Sequence, residues 1–393
     1  MSRKYLPWIN YGITTFFVVF QFLLQSVAGI MSNAWMIDFN LNKAEVSYLS
    51  ASFFISYVLL QIPVGIAYDK LGARKVLIMA SLLLMLGIWG FAYSLTYTQA
   101  LCARVLMGAG SAFGFIGMLY ITASWFKPKH FAILVGIAET IAMLGVALGE
   151  VLSAWMVQHY GWRFTMKISG VITTLLFFCA IIFILDKKRA FVGLNTEPLS
   201  LRQKIRFTLG NRQLWKAGLY GFAIINIINV FATLWSIPYL LQKYPQINLK
   251  MAGLATAMVF VGIAVGGPFN AWLTGRMNRR KPVLISFALL SALLFTVVLI
   301  IPISFAVMML ILLLLGFFSS SYIQVFALVK ENTLKVLRGT ALATVNMILM
   351  SSAPLMQSLT GWILSMKVPF YQVLMLINIL LYFAVYLSVI LDE

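Results

Sequence analysis

The 393-residue chain is 62% hydrophobic, and only 10% of its residues are charged. These proportions exclude an ordinary soluble domain, which needs far more polar surface. The apolar residues form twelve blocks, and a helix of roughly 20 mostly apolar residues crosses the hydrocarbon core of a membrane. We therefore predict an all-α polytopic membrane protein with twelve transmembrane helices, centred near residues 24, 57, 85, 111, 145, 175, 229, 263, 291, 316, 351 and 380.

The net charge of +19 is divided unevenly between the two faces of this arrangement. An even number of spans places both termini on one side, and that side receives 22 of the 29 lysines and arginines. Six fall on the other side, and Arg104 falls inside a span. Because cytoplasmic loops are enriched in Lys and Arg, we predict that both termini are cytoplasmic, in a bacterial inner membrane. The basic side chains then face anionic lipid headgroups, and nucleic acid is not an expected partner.

The first two spans each carry polar side chains one helical turn apart. Span one has Gln21 and Gln25, with Asn33 further along, and span two has Tyr57 and Gln61. Polar groups inside a membrane helix face a cavity or a neighbouring helix. We predict that Gln25, Asn33 and Tyr57 contact a bound solute.

Three motifs follow in the first half of the chain. They are Gly65-Ile66-Ala67-Tyr68-Asp69-Lys70-Leu71-Gly72-Ala73-Arg74-Lys75 after span two, Arg104-Val105-Leu106-Met107-Gly108-Ala109-Gly110 in span four, and Gly161-Trp162-Arg163 after span five. Together they resemble the motifs of the major facilitator superfamily. The resemblance implies two pseudo-symmetric six-helix bundles and a monomer that carries a small-molecule substrate without a cofactor or metal.

The resemblance also implies a cytoplasmic gate in the first motif, formed by Gly65, Asp69, Gly72 and Arg74. Asp69 is expected to lock the cytoplasmic side when the carrier faces outward. A carboxylate at this position can meet the N-terminus of span eleven near Gly339, where the helix dipole favours negative charge.

Span five resembles a glycine-rich motif of drug/proton antiporters but departs from it at one position. Gly136, Gly145 and Gly149 keep the spacing of that motif, whereas Glu150 replaces its proline. The small residues permit close packing of helices. The missing proline and the added carboxylate argue against a drug exporter.

Arg104, Glu139 and Glu150 are charged side chains inside spans, where charges are costly and usually functional. Arg104 and Glu150 lie at the same depth of adjacent spans, which predicts an ion pair. Glu139 and Glu150 are separated by about three helical turns and project from one face of span five. We predict that Glu150 or Glu139 is the proton-coupling site and that Arg104 alternates between a carboxylate and an anionic substrate group. The alternative is a static Arg104–Glu150 pair, with Glu139 near the cytoplasmic headgroups.

The chain changes character between spans six and seven. Residues 187–214 are basic and contain few apolar runs, which predicts a cytoplasmic linker with an amphipathic helix at the membrane surface. This linker separates a bundle at 1–186 from a bundle at 215–393. A shift of 207 residues places Glu139 on Asn346 and Glu150 on Gln357, as expected for a duplicated half.

The second half offers further polar groups. Asn226 and Asn229 share a face of span seven and Trp235 follows them, while Tyr322 lies in span ten and Asn346 in span eleven. We predict that these five side chains contact the substrate. In the superfamily that the motifs resemble, the first, fourth, seventh and tenth spans line the central path, which favours Asn229 and Trp235 of span seven. Tyr57 of span two is the third preferred contact.

Such a lining contains amide, hydroxyl and aromatic groups, one cation and two acids. It suits a zwitterion, a small peptide, a nucleoside or an organic acid better than a plain sugar or a lipophilic cation. We predict a proton-coupled importer that works by alternating access, with an amino acid, a small peptide or a nucleoside as the favoured solute.

The same ensemble resembles the phagosomal-transporter-like nutrient carriers of intracellular bacteria. One alternative is an exporter of drugs or metabolites in exchange for protons. A more remote alternative is a membrane-embedded lipid enzyme. Such an enzyme needs a polar catalytic cluster at one face of the membrane, whereas His130 and His159 are predicted to lie on opposite sides.

Overall fold

The computed structural model describes residues 5–186, 210–334 and 337–391, and this part of the chain is almost entirely helical. Ten helices among the described residues are long and apolar enough to cross a membrane. Most of the predicted linker, including its surface helix, lies outside the described residues. The first helix of the second half begins at Arg212, three residues before the predicted start at 215.

Twelve helices, α1 to α12, follow one another along the chain and correspond to spans one to twelve. Their bounds are α1, Leu6–Asp38; α2 and α3, residues 43–71 and 73–92 of the continuous segment Lys43–Ala92; α4, Tyr97–Ser111 and Gly114–Trp125; α5 and α6, residues 128–160 and 162–183 of the continuous segment Pro128–Phe183; α7, Arg212–Asn226, the π-helix Ile227–Trp235 and Ser236–Lys243; α8, Leu249–Met277; α9, Lys281–Ile300; α10, Phe305–Ser319, the 3₁₀ turn Ser320–Ile323 and Gln324–Glu331; α11, Arg338–Met350 and Ser352–Ser365; and α12, Phe370–Ile390.

Two glycines reverse the chain without a loop. Gly72 and Gly161 have φ values of +78° and +81°, a region that glycine enters without steric cost. Tyr68, before the first reversal, and Leu77, after it, both lie beside Gly117 of α4, so α2 and α3 run in opposite directions. The two continuous segments therefore make two passages each, and the twelve predicted spans are confirmed.

The connections at residues 39–42, 93–96, 161, 244–248, 301–304 and 366–369 lie on the face opposite the chain termini, which we call the distal face. Capping side chains fix several helix starts there. Asn42 and Glu45 cap α2 reciprocally, and Asn248 caps α8. The charge distribution predicts that the distal face is periplasmic.

The motif Gly161-Trp162-Arg163 ties three helices together at the distal face. The indole of Trp162 donates a hydrogen bond to Asp38 at the end of α1 (2.8 Å, Nε1 to Oδ2). Arg163 forms an ion pair with the same carboxylate and donates to the carbonyl of Ser94 (3.1 Å). The reversal between α5 and α6 is thereby anchored to α1 and α3.

The two six-helix halves meet through symmetry-related pairs of helices, α1 with α7, α2 with α11 and α5 with α8. Glycines bring these pairs close together on the distal side. A methyl group on Gly253 would lie 2.7 Å from the Cβ of Ala154, and one on Gly29 would lie 3.1 Å from the carbonyl oxygen of Thr233. The halves are therefore in direct contact across the distal side.

Candidate substrate-binding site

Four buried side chains from three helices form a polar cluster at the junction of the two halves. Gln21 of α1 donates a hydrogen bond to the hydroxyl of Tyr57 in α2 (3.3 Å, Nε2 to Oη). Gln61, one turn further along α2, accepts a hydrogen bond from Asn346 of α11 (2.8 Å, Nδ2 to Oε1). We call these four residues the central cluster. It connects the first half to the second through side-chain amides, groups that can also bind a polar solute.

Glu139 of α5 adjoins the central cluster. Its carboxyl group lies within electrostatic range of the hydroxyl groups of both Tyr57 and Tyr322. Tyr322 lies in the 3₁₀ turn that interrupts α10, so this carboxyl group lies near residues of both halves. The structure therefore brings together four predicted residues, Tyr57, Glu139, Tyr322 and Asn346.

Glu150 lies three turns from Glu139, in the distal contact between the halves. Its side chain is fully buried, and neither carboxyl oxygen has a hydrogen-bond partner among the described residues. The hydroxyl of Ser26 in α1 is beside the carboxyl group, although it donates to the carbonyl of Leu23. The backbone of Glu150 packs against Gly253 of α8. An acid is thus enclosed where two halves meet.

The predicted ion pair between Arg104 and Glu150 is wrong. The fully buried guanidinium of Arg104 instead donates three hydrogen bonds to backbone carbonyls, those of Leu24 (3.2 Å), Leu49 (3.3 Å) and Ser50 (3.3 Å). The guanidinium carbon of Arg104 also lies over the ring of Phe53, 5.0 Å from the ring centroid. The side chain of Arg104 turns toward α1 and α2 rather than toward α5. In this structure Arg104 holds three helices of the first half together.

Asn229 and Trp235 lie in a π-helix, Ile227–Trp235, whose residues are all buried. Asn229 donates to Ser352 of α11 (3.0 Å), and its carbonyl accepts a hydrogen bond from Gln357 (2.6 Å). The indole of Trp235 donates to Thr360 (2.9 Å). These polar groups therefore fasten α7 to α11, and π-helical turns of this kind are often found at functional sites.

The remaining predicted contacts are dispersed. Asn226 is buried and donates to the carbonyl of Phe222 in its own helix (2.6 Å). Gln25 is buried, and its amide nitrogen has no partner among the described residues. Asn33 is exposed and, with Trp235, lines a cavity of about 330 Å³ that lies between the halves at the distal face.

The residues of the predicted cytoplasmic gate lie at the reversal between α2 and α3. Gly72 provides the positive φ of that reversal. The backbone N–H of Arg74 donates to Asp186 (3.0 Å), and its guanidinium donates to the carbonyl of Ile181 (3.0 Å), so the loop is fixed to the end of α6. A methyl group on Gly65 would meet no atom within 4 Å. The side chain of Asp69 and the surroundings of Gly339 lie outside the described residues, and the gate contact stays a prediction.

Sequence reasoning left two members of the central cluster, Gln21 and Gln61, out of the predicted site. The available signal was the one-turn spacing of Gln21 to Gln25 and of Tyr57 to Gln61. Spacing along a helix identifies a shared face, but it does not show which of two residues on that face reaches the junction.

Comparison with known proteins identifies the family. The family model of the Major Facilitator Superfamily matches residues 13–245 and 224–392. The chain belongs to the major facilitator superfamily. The resemblance read from the three motifs is therefore confirmed, and so are the all-α fold and the transmembrane character.

Several curated proteins are similar in sequence. The inner membrane transport protein RhmT of Escherichia coli is 30% identical over 165 residues, 39% of this chain and 37% of that protein. The gallate transporter of Pseudomonas putida is 21% identical over 72% of this chain and 69% of its own length. The probable L-galactonate transporter of Escherichia coli is 26% identical over 66% of this chain and 59% of its own length. The matched regions thus span between 37% and 69% of these relatives.

Solved structures share the fold along nearly the whole chain. A D-xylose-proton symporter superimposes with a TM-score of 0.78 at 15% identity, covering 98% of each chain. A bacterial homologue of the human lysosomal transporter Spinster, in an inward-facing and unoccupied conformation, superimposes with a TM-score of 0.79 at 14% identity, covering 99% of this chain and 97% of that one. At these identities the solved structures show the shared fold. The spanning helices and the inner membrane relative RhmT support a multi-pass inner membrane protein.

Proposed function

We propose that the protein is a secondary transporter that imports a small organic solute together with protons by alternating access. The observation that carries this proposal is the central cluster. Buried amides and a phenol are costly inside a membrane unless they bond to one another or to a ligand. Here they lie where α1, α2 and α11 of the two halves meet, with Glu139 beside them. A solute bound there would touch both halves and bias their relative position.

Glu139 and Glu150 supply the proposed proton sites. A charged carboxylate without partners is costly to bury, whereas a protonated one is far less so. We infer that Glu150 carries a proton while the distal side is closed around it. Opening of the α5–α8 contact would let water reach the group and exchange that proton. Proton binding would thereby favour closure of the distal side.

The solute that we propose carries a carboxyl group. Two relatives are named for gallate and L-galactonate, which are both carboxylates. Inward movement of one negative charge against a membrane potential costs about 2.3 kcal/mol per 100 mV. Coupling to protons offsets that cost, so proton symport suits an anionic solute. Among the classes predicted from the sequence, an organic acid thus comes first, followed by an amino acid or small peptide and then a nucleoside.

The proposal is tested by uptake into proteoliposomes that contain the purified protein. Radiolabelled D-galacturonate, gallate, alanine and uridine are offered with and without an acidic exterior. The expected result is uptake of a carboxylate that the inward proton gradient accelerates and a protonophore abolishes. Tyr57→Phe removes the hydroxyl that Gln21 contacts, and we expect it to slow this uptake by about tenfold, while the matched surface variant Tyr5→Phe leaves it unchanged. Proton-driven transport of lipophilic cations alone, in the opposite direction, would contradict the proposal and favour the exporter.

A further inference from the structure

A cavity opens at the distal face between the two halves and has two adjoining chambers. The inner chamber measures about 330 Å³ and the outer about 540 Å³. Both are bordered by Met36 of α1, Lys43 of α2, Gln242 of α7 and Phe370 of α12. Their size is that of pockets that hold small ligands, about 300–1,000 Å³. We call the two chambers the distal vestibule.

The charge of the distal vestibule is positive. Lys43 lines both chambers and Lys367 lines the outer one, and no described residue that lines either chamber is acidic. The nearby carboxylate of Glu45 is already bonded to the backbone N–H of Asn42 (2.8 Å). An anion that enters the vestibule therefore meets ammonium groups without a competing acid.

The wall beside Lys43 is aromatic. Its ammonium lies 4.4 Å from the centroid of the Phe370 ring. That ring and Trp235 form an edge-to-face pair with 5.7 Å between the centroids, and both rings are buried in the wall. Asn33 and Gln242 add amide groups to the inner chamber. One cation, an aromatic surface and amides together suit a carboxylate attached to a ring-shaped or planar body.

The vestibule is separate from the central cluster. Asn33 is twelve residues from Gln21 on α1, which is about 18 Å at the rise of an α-helix. Between them, Gly29 of α1 packs against the carbonyl of Thr233 in α7. A ligand in the vestibule is thus held in front of the closed distal contact and not in the central cluster.

We propose that the distal vestibule is a second binding site, which captures a small organic carboxylate through Lys43 before the distal side opens. Its place on an import route rests on the proposed function, whereas the binding of anions does not. The ammonium of Lys43 would contact the carboxylate, Lys367 would attract it from solution, and the amides of Asn33 and Gln242 beside the aromatic wall would border its body.

Binding of anions is tested by thiol labelling, which requires no transport. Cys102→Ala and Cys179→Ala remove the two free cysteines of the described residues, and Ser365→Cys places a thiol in the outer chamber. The purified protein is labelled with anionic MTSES (2-sulfonatoethyl methanethiosulfonate) and with cationic MTSET (2-trimethylammonioethyl methanethiosulfonate). The ratio of the two rates is divided by the same ratio for a free thiol. We expect a preference of about fivefold for the anion, which falls toward one when Lys43→Gln and Lys367→Gln are added.

Lys250→Gln is the matched control, because Lys250 lies exposed on the same face but lines neither chamber. It should leave the preference unchanged, and Lys43→Arg should retain it. The carboxylate itself is tested by protection. Millimolar D-galacturonate should slow MTSES labelling at least about threefold, uncharged D-galactose should not, and Lys43→Gln should abolish the effect. The proposal would be overturned if labelling showed no preference for the anionic reagent or if Lys250→Gln lowered that preference as much as the vestibule variants do. It would also be overturned if D-galacturonate gave no protection.

Uptake then separates the two proposals. If D-galacturonate protects the thiol but no carboxylate is transported, the binding site stands and the proposed import fails. If a carboxylate is transported and Lys43→Gln leaves its KM and kcat unchanged, capture through Lys43 is overturned while the proposed function stands.

Discussion

At the scale of single residues, the two fully buried charges of the first half differ in what surrounds them. Arg104 directs its donors at three backbone carbonyls, whereas the carboxyl group of Glu150 has no partner among the described residues. A cation with satisfied donors stabilises one arrangement of helices. An acid without partners is stable in an enclosed site chiefly when it is neutral. Arg104 is therefore suited to hold helices in place, and Glu150 is suited to bind and release a proton.

Arg104→Ala is expected to destabilise the protein. It removes three hydrogen bonds from a charged donor and leaves a cavity at the junction of α1, α2 and α4, so we expect a loss of about 2–4 kcal/mol. Arg104→Lys keeps the charge but reaches fewer carbonyls, and its loss should be smaller. Thermal unfolding in detergent measures both. Equal stability of Arg104→Ala and the parent protein would contradict the assigned role.

Glu150→Gln is expected to uncouple transport from the proton gradient. The amide keeps the size of the side chain but cannot release a proton, so gradient-driven accumulation should fall by about tenfold or more while solute exchange at equal pH persists. Uptake and exchange in proteoliposomes measure the two rates. Glu331→Gln, which replaces an exposed carboxylate paired with Arg280, is the control and should leave both unchanged. Gradient-driven accumulation that survives Glu150→Gln would exclude Glu150 as the coupling site.

At the scale of helices, most of the fold could be predicted and most of the contacts could not. The apolar blocks predicted twelve spans because a membrane demands a fixed length of apolar helix. Their rotation about the helix axis depends on packing partners that are distant in sequence. Arg104 illustrates this, since the predicted direction of its side chain toward α5 was wrong.

The π-helix of α7 limits prediction in a second way. Asn226 and Asn229 were placed on one face by counting 3.6 residues per turn. The segment Ile227–Trp235 instead has wider turns, which shift every following side chain around the axis. Asn229 and Trp235 consequently bond to Ser352 and Thr360. Tyr57 and Asn346 lie in regular helical segments, and their role as substrate contacts stays a prediction.

Gly253→Val is expected to prevent closure of the distal side. The added side chain would overlap Ala154, whose Cβ lies 2.7 Å from the position of a new Cβ, and a close α5–α8 contact would be lost. Uptake should fall by about tenfold. The thiol of Ser26→Cys, which is buried beside Glu150 in the closed form, should react with MTSES about tenfold faster in the cysteine-free background.

Gly12→Val provides the control for this change, because a side chain at Gly12 meets no atom within 4 Å. It should leave both rates near those of the parent protein. A Gly253→Val protein with normal uptake and normal labelling would show that the distal contact does not have to close during transport.

At the scale of the whole molecule, the duplicated halves give the protein its junction and its closed distal side. The shift of 207 residues placed Glu139 on Asn346, and in the structure Asn346 belongs to the central cluster while Glu139 lies near that cluster in the opposite half. That relation could be predicted from the sequence because a repeat places equivalent positions around a pseudo-two-fold axis. The distal vestibule could not be predicted, because Lys43 and Phe370 lie more than three hundred residues apart and no repeat relates them.

The most direct test of alternating access is a reversible cross-link across the distal contact. The backbone N–H of Lys250 in α8 donates to the side chain of Gln158 in α5, so Gln158→Cys and Lys250→Cys place two thiols on opposite halves within reach of each other. In a protein without Cys102 and Cys179, we predict that oxidation lowers solute uptake by about tenfold or more and that a reductant restores it, because the halves must separate there in every cycle. Uptake that continues unchanged in the fully cross-linked protein would contradict the account.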